Sequence, residues 1–167
     1  MRFLFDLFSN DASKNWTKSG ETRLMFHLAA ESLNGAAIED SFDKLSVLGR
    51  PANRNPFEKH LFDYPDLGLV IGGENNRVKY FSFAVQSFTK NSKPCEVTLV
   101  SERGTQLLLT KDTKFSELES VLGKPFEQKK SVDDEAEYHY KYKRLILVFE
   151  FDEDRLALFE AGLEDYV

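Results

Sequence analysis

The sequence predicts an α+β fold: two tandem repeats, each a β-hairpin, a short helix and two antiparallel strands, forming one curved antiparallel sheet with helices on one face. Three observations predict it. Tyr64, Leu67, Leu69, Val70, Arg77 and Phe81 match Tyr142, Leu145, Leu147, Val148, Arg155 and Phe159 at one offset of 78 residues. Upstream of each block, Val47-Leu48-Gly49-Arg50-Pro51 matches Val121-Leu122-Gly123-Lys124-Pro125 at an offset of 74. Two matched blocks in the same order indicate an internal repeat, to be sought before local structure is assigned. Third, each Gly-x-Pro end closes an apolar stripe of helical spacing: Phe42, Leu45 and Leu48 in one copy, Phe115, Leu118 and Leu122 in the other. The expected layout is an N-terminal segment over 1–21, a first repeat over 22–85, a linker over 86–94 and a second repeat over 95–163, all within one continuous domain.

Taken in order, residues 2–8 alternate loosely and cover a core edge as a short strand or helical turn. Residues 9–21 are polar and read as a loop, in which Trp16 is expected to plug the core from outside. Leu24–Ala30 and Ala36–Glu39 flank Asn34-Gly35, a strong two-residue hairpin signal. Its counterpart is Glu96–Val100, a turn over 101–104, and Gln106–Thr110. Asp40 and Thr113 are N-cap acceptors for the two helices. Gly49 and Gly123 suit their C-terminal caps, and Pro51 and Pro125 stop them. Helices of about ten residues are too short to stand alone and must pack on a sheet. The closing strands follow. Leu67, Leu69 and Ile71 alternate, as do Leu145, Leu147, Phe149 and Phe151. The turns 72–76 and 152–154 reverse the chain into Val78–Phe83 and Leu156–Ala161.

This doubled unit resembles the β-lactamase-inhibitor-protein fold and the single-repeat lipoproteins of the SmpA/OmlA type. In those families a Leu-Gly-x-Pro helix end precedes a Tyr-rich strand and a hairpin with an Arg before its last strand. The matching residues are Leu48-Gly49-Arg50-Pro51, Tyr64 and Arg77, then Leu122-Gly123-Lys124-Pro125, Tyr142 and Arg155. The resemblance covers most of residues 22–163 and implies an architecture, which does not fix a function.

Composition narrows the function. With 41% hydrophobic and 30% charged residues the chain is an ordinary globular one, and 15 phenylalanines suit a core of sheets and aromatic packing. A net charge of −6 lacks the basic footprint of a nucleic-acid binder. Acid runs at 133–137, 152–154 and 160–165 solvate the surface or steer the chain toward a basic protein. Cys95 is the single cysteine and cannot form an internal disulfide. No stretch approaches a membrane span, and the apolar start is too short for a secretion signal. The expected location is cytoplasmic, with no membrane partner.

No motif for catalysis or for a cofactor is present. His27, His60 and His139 lack Cys or His neighbours at metal-ligand spacing. Gly72-Gly73 does not complete a phosphate loop, and the acid runs lack the alternation of a calcium loop. No catalytic residue, metal or cofactor is therefore expected. The functional candidate is Tyr138-His-Tyr140-Lys-Tyr142. In one extended strand Tyr138, Tyr140 and Tyr142 share a face with Ile146, Val148 and Glu150, opposite Leu145, Leu147, Phe149 and Phe151. With helices under the heavier face, the tyrosines stand open and Phe81 and Phe83 join them. Such a face suits protein docking, because tyrosine buries large area at little rotamer cost. The alternative is a bulge near Lys143 that switches the parity and sends the tyrosines inward; a run from 138 to 151 is long for one strand. The expected function is a non-enzymatic protein-binding module, of inhibitor or immunity type, for a basic partner. A binder of small apolar ligands in a pocket between sheet and helices is the second reading.

Overall fold

The computed structural model describes residues 13, 16–17, 23–52, 60–86, 93–130 and 134–167. The element expected over 2–8, most of the 9–21 loop and the centre of the 86–94 linker lie outside them.

The described residues form two sheets, not one, and the fold is mostly β. Strands β1 (Leu24–His27), β2 (Ser32–Leu33), β3 (Ala36–Ala37), β7 (Val97–Val100) and β8 (Gln106–Leu109) make a five-stranded sheet in the order β3-β2-β1-β7-β8. Strands β4 (Leu61–Tyr64), β5 (Leu69–Glu74), β6 (Arg77–Ala84), β9 (Glu127–Lys130), β10 (Glu135–Tyr142), β11 (Leu145–Asp152) and β12 (Arg155–Leu163) make a seven-stranded one, β4-β5-β6-β12-β11-β10-β9. This overturns the expected α+β arrangement of two repeats sharing a single sheet under helices. The place assigned to helices is taken by the smaller sheet. Its strands alternate so that Leu24, Phe26, Val97 and Leu99 are all buried. That apolar face needs a cover, and a second sheet face supplies one.

Phenylalanine fills the interface. Phe26 meets Phe81, Phe83 and Phe159 edge-on, with ring centroids 5.8, 6.2 and 5.7 Å away. The register sets Phe83 across from Phe159, and Phe159 across from Phe149. Those three rings stack across β6, β12 and β11 at 5.0 and 4.7 Å. Each ring is fully buried and contributes about 2–3 kcal/mol through lost contact with water. Trp16 stacks on Phe62 at 5.9 Å, against the core as expected.

Helix is sparse. Phe42–Leu48 winds as a 3-10 helix and Phe115–Leu122 as an α-helix, α1. Neither expected cap acts as one. The Asp40 carboxylate accepts from Ala37 N–H, and the helix starts after Ser41. The Thr113 hydroxyl accepts from Thr110 N–H and donates to Leu108 O, while the Glu117 carboxylate takes up Lys114 N–H. Gly49 and Gly123 do end the helices, at φ of 79° and 80°. The helical rings reach the core near the two margins of the larger sheet: Phe42 against Phe62 in β4, Phe115 against Tyr138 in β10.

Asn34-Gly35 turns the chain as predicted, with φ of 49° and 89°, but it joins the two-residue strands β2 and β3. The larger sheet ends in β9, whose Glu127-Gln128-Lys129-Lys130 is exposed throughout. A short edge rich in lysine resists addition of another strand.

The β10–β11 hairpin ties the sheets together at its tip. Lys143 donates to Ala29 O, and Arg144 Nε lies 2.6 Å from Glu31 Oε2 while its NH2 group donates to Ile38 O. Arg144 is half exposed, whereas the Glu31 side chain is 10% exposed. Removing the guanidinium strands a nearly buried carboxylate, and losing a charged hydrogen bond of this kind costs about 2 kcal/mol. Arg144→Ala is therefore expected to lower the urea midpoint clearly, while Lys143→Ala, which removes an exposed carbonyl contact to Ala29 and the ammonium over the Tyr142 ring, lowers it less.

Candidate functional site

The predicted docking residues lie inside the protein. Phe81 and Phe83 are 0% exposed, Tyr140 is 5% and Tyr138 9%, and Tyr142 packs against the same core while partly exposed. The expected open aromatic face is therefore corrected. Its cause is a single turn. Lys143 and Arg144 form a two-residue reversal, with Lys143 at φ 53°, so 138–151 is a hairpin and not one strand. Across such a turn Tyr142 pairs with Leu145, Tyr140 with Leu147 and Tyr138 with Phe149. The tyrosines thereby join the heavy apolar face instead of opposing it.

Inside, Tyr138 lies under Phe115 at 4.0 Å and Tyr140 is edge-on to Phe149 at 5.7 Å. Among the described residues the Tyr140 hydroxyl finds no hydrogen-bond partner. Burial, then the charges of Glu119 and Tyr138, push it up to about 12. The Tyr142 hydroxyl faces Glu102, which helps to raise it after burial, but falls short of hydrogen-bond geometry. Cys95 is buried, and burial followed by the Glu96 charge pushes its thiol up to about 12, so it is a poor nucleophile.

The same turn builds something on the other face of the larger sheet. With Tyr142 opposite Leu145, Glu137 falls directly opposite Glu150 and Glu135 opposite Asp152. Two successive like-charge pairs thus stand side by side, where direct opposition is destabilising. Glu160, across from Val148 on β12, adds a further carboxylate to this face. Compensation is partial. His139 Nε2 is 3.1 Å from the Glu137 carboxylate, and Lys129 Nζ is 3.8 Å from Glu137 and Glu127. None of these ion pairs reaches Glu150. Its carboxyl is held above the usual range, first by burial, then by Glu160, Glu137 and Glu135, with only His139 acting the other way.

Beside these pairs runs a groove of about 300 Å³, its carboxylates from Glu135, Glu137, Glu150 and Asp152 and its apolar lining from Phe151 and Ala157. Lys129 and Lys130 border it along β9. Exposed Phe126 stands nearby, its ring edge-on to His139 at 6.2 Å. Among the described residues no group of three or more His, Cys, Asp or Glu is placed to hold a metal ion. No described helix is long and apolar enough to cross a membrane. The arrangement can attract and orient positive charge.

The raised Glu150 carboxyl has a consequence for stability. A carboxyl whose folded value exceeds the unfolded one favours the fold while protonated, and that contribution fades as pH rises through the folded value. Glu150→Gln, neutral at every pH, is expected to be more stable than the parent at pH 7. The difference should vanish in melts run below the ordinary value of 4.5. An equal gain at pH 3 and pH 7 would locate the effect outside charge.

In fold the chain is similar to a protein of the DUF4309 family, YjgB from Bacillus subtilis, known from a crystal structure. The TM-score is 0.50 at 13% identity, over 97% of each chain. That likeness concerns the fold alone. No protein-family model and no curated protein matches the sequence.

Proposed function

We propose that the chain is a non-enzymatic protein-binding module whose partner is basic, and that it engages this partner through the carboxylate face of the larger sheet and not through aromatic rings. One observation carries the reading. Glu135 opposes Asp152 and Glu137 opposes Glu150, a repulsive arrangement that folding alone does not call for. A face with an excess of carboxylates over its few cations steers an oppositely charged protein and raises its association rate. Inhibitors and immunity-type proteins for basic targets act in this way, and the module belongs to that class in the cytoplasm. The second reading, a small apolar ligand between layers, loses its expected lining. The rings of Phe26, Phe81, Phe83, Phe149 and Phe159 pack on one another there.

The test is affinity capture from native extract, scored by the isoelectric points of what is retained. The wild type is expected to hold basic proteins at low salt and release them as ionic strength rises. Glu137→Lys/Glu150→Lys/Glu160→Lys, with an unchanged circular-dichroism spectrum, should lose them. A triple variant that keeps the same proteins removes this face from consideration.

A further inference from the structure

We draw no further inference here: the strongest candidate, the open groove of about 830 Å³ bordered by β8 and the 93–96 segment with half-exposed Leu108 at its rim, carries nothing because nothing in the structure shows what covers it.

Discussion

Replacing Phe26 by alanine is expected to destabilise the protein by about 4 kcal/mol, within the range for a phenylalanine truncated in a packed core. Phe26 is the smaller sheet's contribution to the aromatic interface, fully buried and in edge contact with rings from β6 and β12. Its loss strips Phe81, Phe83 and Phe159 of their edge contact from the smaller sheet, and the sheets on either side, fixed by their own hydrogen bonds, collapse only partly into the space. Differential scanning calorimetry should show a melting temperature lower by roughly 10 °C. Phe26→Leu, which keeps most of the volume, should lose much less. If the alanine variant melts within a degree or two of the parent, the two sheets do not face each other through this residue.

Gly73→Ala is the second substitution with a large expected effect, and its neighbour Gly72 shows why. Both lie at the register shift between β5 and β6. A β-carbon on Gly73 would stand 2.0 Å from the carbonyl oxygen of Arg77 and 2.7 Å from the Phe42 ring. The nearer obstacle is backbone, held in the β5–β6 ladder, so relief requires the strands to part. The expected loss is about 3 kcal/mol, the upper end for overpacking. A β-carbon on Gly72 meets instead the ring of Tyr80 at 2.1 Å. That obstacle is a side chain, so Gly72→Ala should be rescued in large part by adding Tyr80→Ala. No side-chain truncation should rescue Gly73→Ala. Urea melts of the three variants decide the point, and a stable Gly73→Ala would mean that β5 and β6 are not paired in this register.

What could be read from the sequence followed its local physics. The alternation of Leu145, Leu147, Phe149 and Phe151 marked a strand, and those residues are buried, although Ile146 and Val148 on the opposite face are buried as well. Asn34-Gly35 marked a turn, and Gly49 and Gly123 marked the helix ends. The reversal at Lys143-Arg144 left only an indirect mark, the length of 138–151, which is long for one strand. Neither residue is one of the usual formers of a tight turn, yet Lys143 adopts positive φ because the tip is anchored by bonds to Ala29, Glu31 and Ile38. Those partners are more than a hundred positions away, beyond any local pattern. Reading one strand through that turn put Tyr138, Tyr140 and Tyr142 on the open face, whereas the alternative of a parity switch near Lys143 sent them inward, where they lie. The signal for the carboxylate face was nonetheless present. Glu135, Glu137, Glu150 and Asp152 alternate along two strands, and placing a turn at 143–144 sets them opposite one another. The number of sheets was hidden for a related reason: β1 finds its parallel neighbour in β7, and hairpin signals say nothing of pairings so remote.

That parallel seam, together with the antiparallel one between β6 and β12, governs how the molecule is made. Each sheet is sewn from both halves of this sequence. A chain made only as far as the middle of this sequence can set Phe26 against Phe81 and Phe83 but lacks β7 and β12, the strands that complete the two sheets beside them. Completion of both sheets therefore waits for β12, and until then the unpaired edges of β1 and β6 are on offer to chaperones or to one another.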